Sequence, residues 1–337
     1  KHIQGLSSPA YLRSITKQGR RGSAPYCGFA SATEGSDWIV QCARRENKRP
    51  LYILVWGGLE DVAQALHDAP DIQSKIRIYW IGGPNKKWSI NSYTYIVQNF
   101  PDLWFIENNA SYRGFIYQSK INDQYNALYY DTYIKDAGYL GKDFAHYYKG
   151  NPKLGDTPAL LYMMDGDPDN PAKESWGGSF DLCTHSPRSV FYRPVTAKDT
   201  VQVYSIIEFH VAGPVRNDIP IDSACITLTI GKQKWGGYHI GNGDYVVRHS
   251  TYYLGTLPYT ITSNIPEFPN QEGEITVENI WPGRIRDTDY IVGNKWFTDK
   301  SASEYFWKNY QGAQTIYKWR NAVMEDWGKR WEWLKKE

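Results

Sequence analysis

Between Leu51 and Glu107 the hydrophobic positions switch back and forth between two periods. LYILVW and IRIYWI are continuous apolar runs, the mark of strands covered on both faces. LEDVAQALHDA between them sets Leu59, Val62, Ala63 and Leu66 on one helical face. A second helix, SYTYIVQNF, leads to a third strand, LWFIE, from Leu103 to Glu107. Strand, glycine turn, helix and strand in that order make a βαβ unit, which predicts a parallel sheet.

Residues 108–150 are rich in Asn, Tyr and Gly, and YNALYYDTYIKDAGYLG has only weak helical periodicity, which predicts loop and short helices over the sheet. DTPALLYMM opens a further helix, with Asp156 at the N-cap and Pro158 just inside it. The polar stretch DGDPDNPAKESWGG then has to be a loop. From about Thr200 the period becomes two. TVQVYSIIEFHV alternates Val201, Val203, Ser205, Ile207, Phe209 and Val211 against their neighbours, and ACITLTIG, DYVVRHSTYYL, YTITS and EITVEN continue the style. The C-terminus carries an apolar helical stripe of Ile316, Trp319, Val323, Trp327 and Leu334, with Gly312 at its start. The expected organisation is an α/β core over 1–198, an antiparallel β region over 199–282 and a helical segment over 283–337 that packs back on the core.

Composition narrows the partners. Against 38 Lys and Arg stand 36 Asp and Glu, a net charge of +2 that offers no field for nucleic acid or an anionic membrane. No apolar run is long enough to span a bilayer. The 14 Trp and 27 Tyr join flat apolar faces to polar edges, which suits sugar rings, although a large core uses them as well. The four cysteines are scattered and lack the spacing of a zinc site or a disulfide scaffold.

In a parallel sheet ligands sit beyond the carboxyl ends of the strands. Two glycine corners fall there in succession, VWGGLED from Val55 to Asp61 and YWIGGPNKKWSIN from Tyr79 to Asn91. Glycine pairs let the main chain turn tightly and let a ligand come close. Glu60 and Asp61 are accounted for by the helix dipole alone. Trp56 is either core or a face for stacking on a sugar. His185 and His249 are the two histidines placed in loops where an acid is worth testing.

RPLYILVWGGLEDVAQAL, FPDL, LGDTPALLYM, SWGG and KWRNAVMEDWGKRWEWL together resemble a bacterial nucleoside hydrolase-like domain family, often described as cellulose-binding and related to the inosine-uridine nucleoside hydrolases. The resemblance implies a nucleoside hydrolase-like, mostly parallel sheet flanked by helices. It also implies a calcium ion held by an N-terminal aspartate cluster, by the main-chain carbonyl at Trp56 and by Asp156. Asn91 matches a sugar-binding asparagine and Asn85 is a substitute for another. Trp176 and Trp296 lie in motifs the family shares and join Trp56 as candidate stacking platforms. The aspartate cluster belongs to a first strand for which nothing ahead of Ile3 has room, and Gly155 stands where nucleoside hydrolases have a histidine. Either that strand is missing from this chain or this member hydrolyses nothing.

Two functions follow from the resemblance. One is hydrolysis of a glycosidic or N-glycosidic bond at a calcium-dependent site, with catalytic residues that the sequence leaves unassigned. The other is non-catalytic binding of a cellulose-like polysaccharide. The late β region is also compatible with a structural or oligomeric interface. Export to the periplasm or beyond is implied only by the family.

Overall fold

The computed structural model describes residues 7–116, 124–148 and 154–335. Residues 3–6, behind the place where the resemblance puts the first strand, lie outside them. Helices α1 (Pro9–Ile15) and α2 (Glu34–Ala43) precede the βαβ region. The continuous apolar runs then form β1 (Leu51–Val55), β2 (Ile76–Ile81) and β3 (Trp104–Asn108), joined by α3 (Glu60–Asp68) and α4 (Ile90–Asn99). All three strands pair in parallel, with Ile53 opposite Ile78 and Ile78 opposite Phe105. Trp56, expected at the end of the strand run, lies just past it.

Helices α5 (Gln124–Tyr129), α6 (Gly138–Tyr148) and α7 (Thr157–Met164) follow, and then short strands β4 (Phe180–Leu182), β5 (His185–Ser186) and β6 (Arg188–Phe191). The region of period two supplies β7 (Thr200–Gln202), β8 (Ile206–Ala212), β9 (Ala224–Ile230), β10 (Gln233–His239), β11 (Asp244–His249), β12 (Gly255–Thr262) and β13 (Gln271–Glu278). The alternation through TVQVYSIIEFHV is not one strand. Tyr204 takes φ +62° and the chain turns over Val203–Ser205. Nor is the second sheet purely antiparallel. In the order β6-β8-β11-β10-β9-β12-β13-β7, the edge pairs β6 with β8 and β7 with β13 run parallel.

The last segment holds strands as well as helices: β14 (Tyr290–Ile291) and β15 (Trp296–Asp299) precede α8 (Gln314–Tyr317) and α9 (Arg320–Trp331). β15 lies parallel to β3 and antiparallel to β4, so the first sheet has the order β1-β2-β3-β15-β4. WFTD is too short to show a period, which is why only its neighbours' helical stripe stands out.

Helices α3 and α4 bury Val62, Leu66, Tyr93 and Ile96 against Ile78, Trp80 and Phe105 on one face of this sheet. On the other face α7 sets Ala159 and Tyr162 against Tyr79, Ile81 and Phe180. The terminal stripe packs onto α5 and α7. Ile316, Val323 and Trp327 join Tyr129 and Leu161 there, and the Tyr129 and Trp327 rings stack at 5.4 Å. Ile207, Phe209 and Val211 point into the core of the second sheet, whereas Ile206 faces the first.

Candidate functional site

The carboxyl ends of β1, β2, β3 and β15 lie side by side. At the first, Trp56 is 54% exposed, and a side chain added at Gly57 would meet no atom within 4 Å. The Gly57 carbonyl accepts from Trp80 Nε1 at 2.8 Å and the Leu59 amide donates to Ser89 Oγ at 2.7 Å, tying this corner to the next. At the second, Gly83 takes φ +45°, and a Cβ there would fall 2.5 Å from the Asn109 carbonyl oxygen. Only glycine fits such a left-handed turn against backbone.

Glu60 and Asp61 do more than complement a helix dipole. Asp61 accepts from the Arg20 amide at 3.1 Å and from Thr33 Oγ1 at 2.6 Å. Burial raises the Glu60 carboxyl above its ordinary range, while hydrogen bonds from its own amide and from Ser89 pull the other way. The strap formed by residues 19–28 is held across both corners by Ser23 Oγ on the Trp88 carbonyl, at 2.7 Å, and by Ser92 Oγ on that of Gly28, at 2.8 Å.

Behind the corners runs a buried polar network. Glu107 in β3 pairs with Lys86 and accepts from Tyr93 OH at 2.8 Å, Asn109 Nδ2 at 2.9 Å and Trp296 Nε1 at 3.0 Å. The Lys86 ammonium lies 4.2 Å from the ring centres of both Tyr93 and Trp281. Burial pulls Lys86 below the ordinary lysine range, and the charge of Glu107 offsets part of that. Asp299 at the end of β15 accepts from the amides of Asn109, Ala110 and Ser111 and from Ser111 Oγ, at 2.6 to 3.0 Å. Burial nevertheless pushes its carboxyl up to about 6. Beside it a cavity of about 40 Å³ is lined by Ala110, Tyr204, Tyr252, Trp281, Asp299 and Gln311. That is room for a water but not for a sugar.

The site residues expected from the sequence divide. Trp56 is exposed at the carboxyl edge, as a platform has to be. Asp156 starts α7 near the same edge, since the Tyr112 ring packs on both Gly83 and Gly155. It holds the N-cap position, as expected, but its side chain makes no capping hydrogen bond, and desolvation raises its carboxyl. The Asn85 amide donates to the Ile81 carbonyl at 2.9 Å and closes its own turn. Asn91 is 9% exposed and its amide donates to the Ala24 carbonyl at 3.1 Å, so it holds the strap.

Trp296 is no platform. It is 1% exposed and stacks on Phe105 at 4.2 Å, because β15 carries it into the sheet. Trp176 is half-buried against the cluster of Leu161 and Ile316. His185 and His249 lie in strands and are buried, and burial pushes His249 down to about 3, which keeps it neutral.

Calcium takes six to eight oxygens, several of them carboxylate. Among the described residues no group of three His, Cys, Asp or Glu is placed to hold a metal. Asp156 and the Trp56 carbonyl alone do not fit the ion. Asp167 and Asp169 of DGDPDN are engaged instead by Lys173 and Arg77.

Sequence reasoning missed Glu107, Lys86 and Asn109 altogether. A signal was present: a glutamate ending the otherwise apolar run LWFIE has to be paired when both faces of its strand are covered.

The sequence model of the family described as cellulose-binding Sde182, nucleoside hydrolase-like domain, matches residues 1–180. No curated protein matches the chain. Among solved structures, a nucleoside hydrolase-related protein from Saccharophagus degradans, associated with carbohydrate metabolism, is similar at 18% identity. The match covers 82% of this chain and 84% of that one, with a TM-score of 0.42. A protein from Bacteroides vulgatus, proposed to be a glycoside hydrolase, is 24% identical over 25% of this chain and 17% of its own, with a TM-score of 0.22.

Proposed function

The chain belongs to the family of cellulose-binding Sde182 nucleoside hydrolase-like domains, and on that premise we propose that it recognises a polysaccharide at the carboxyl edge of its first sheet. One observation carries the reading: Trp56 stands exposed at a glycine corner with open space beside it, on the edge where parallel sheets bind ligands. An exposed indole presents a large, rigid apolar face to a sugar ring and keeps its N–H for a hydroxyl. A polysaccharide ligand would put the protein to work in the periplasm or outside the cell.

Hydrolysis is the second reading, favoured by Asp156. A carboxyl raised by desolvation at the start of α7 suits a general acid. The described donors do not make a calcium site.

Binding is tested by affinity electrophoresis in gels carrying soluble hydroxyethylcellulose and by co-sedimentation with insoluble cellulose. The wild type is expected to be retarded and to sediment, and Trp56→Ala to lose most of both effects. Free migration of the wild type on both substrates overturns the reading.

A further inference from the structure

Lys87 lies where the second glycine corner meets the second sheet, and among the described residues its charge has no counter-charge. Its Nζ donates to the Gln233 amide oxygen at 3.1 Å and lies over the rings of Trp88, Trp235 and Tyr252 at 5.1, 5.9 and 5.1 Å. The residue is 6% exposed, and among the described residues it has no carboxylate partner. Burial pulls Lys87 below the ordinary lysine range. Beneath it His249 is neutral and buried, with Nδ1 unpartnered, and so offers no negative charge.

A second cation lies near the same ring. The Arg113 guanidinium lies 5.9 Å from the centre of Tyr252, and its buried Nε has no partner. Tyr252 and Tyr253 stack at 4.3 Å with their hydroxyls hydrogen-bonded at 2.9 Å. Trp88 packs edge-on against Trp235 at 4.6 Å. Trp88 and Tyr253 are 52% and 51% exposed, so two flat rings face outward beside a covered cation.

Aromatic faces and one amide oxygen solvate an ammonium incompletely, and a carboxylate would supply both a counter-charge and a charge-assisted hydrogen bond. A neutral sugar would leave Lys87 as it is. We propose that the seam formed by Lys87, Trp88, Tyr252 and Tyr253 binds a uronic acid residue of an acidic polysaccharide, with its ring on the exposed aromatic faces and its carboxylate on Lys87. The proposal rests on the reading that the ligand is a saccharide, but it uses residues other than Trp56.

The test is titration calorimetry of the whole chain with galacturonate oligomers, with their methyl esters and with cello-oligosaccharides. The galacturonate oligomers are expected to bind at least about ten times more tightly than the esters, as a charge-assisted contact requires. Lys87→Met should remove that advantage, and Lys87→Arg should keep part of it. Equal binding of acid and ester by the wild type overturns the proposal and needs no variant to fold. So does a Lys87→Met protein that unfolds normally and still prefers the acid. Cello-oligosaccharide binding that Trp56→Ala abolishes, without any preference for the acid, leaves the Trp56 reading standing and removes this one. Acid binding that needs Lys87 while cello-oligosaccharides do not bind leaves this one standing and removes the neutral-glucan reading. No binding of any of the three overturns both.

Discussion

Lys86 and Glu107 form an ion pair from which solvent is excluded, with side chains 0% and 1% exposed. Such a pair adds little over well-packed apolar residues, but breaking it strands a charge. Lys86→Met should therefore cost about 3–5 kcal/mol. The double variant Lys86→Met, Glu107→Gln should cost less than the two single changes added together. Urea unfolding midpoints measure both.

Trp56 and Trp296 give opposite outcomes on truncation. Trp296→Ala empties a stacked, buried position and removes a donor to Glu107, for about 3–5 kcal/mol. Trp56→Ala should stay within about 0.5 kcal/mol of the wild type while losing glucan retardation. Thermal unfolding read beside gel retardation separates the two.

The glycine corners differ in the same way. Gly57→Ala meets open space and should change stability by less than about 0.5 kcal/mol. Gly83→Ala drives a Cβ into the Asn109 carbonyl at a positive φ and should cost about 2 kcal/mol or more. Denaturation midpoints of the two variants decide it.

His210 lies between Glu208, 3.0 Å from Nε2, and Asp244, 2.9 Å from Nδ1. Burial disfavours its charge, but the hydrogen bonds and charges of both carboxylates outweigh burial and raise it above the ordinary histidine range. Arg188 and Arg248 face the same Glu208, which burial would raise but which these cations and His210 hold well below the usual carboxylate range. A raised folded value means that the stabilisation is complete below about pH 6.5, the unfolded value, and is lost as pH rises through the folded one. Melting temperature should fall across that window in the wild type, and His210→Gln should flatten the fall. Asp299, pushed up to about 6, adds to the fall in the same direction until its carboxyl is fully ionised, and the His210→Gln comparison separates the two.

The strands and helices from Leu51 to Glu107 were legible because their apolar periods are long and unbroken. β15 was not, since four residues carry no period and their partners are distant in sequence. Trp56 was legible as an edge residue from its glycines. Nothing local separates it from Trp296, whose burial comes from the pairing of β15 with β3, where it stands opposite Phe105. The Glu107 network was hidden for a related reason: Lys86 and Trp296 reach it from a different loop and from a strand made much later in the chain. Lys87 and Trp88 are adjacent in sequence, but Trp235 in β10 and Tyr252 in the loop after β11, which give them meaning, come from far along the chain.

The insertion of β15 between β3 and β4 also sets an order of assembly. Ribosomes deliver β1 to β3 early, but the neighbour of β3 is not made until Trp296–Asp299, after the whole second sheet. Until then the β3 edge is an unpaired apolar strand, a template for association between chains. Closing it late is a non-local step of the kind that slows folding. A nascent chain halted before Trp296 should therefore aggregate or recruit chaperones, whereas one released just beyond Asp299 has the strand that closes the edge.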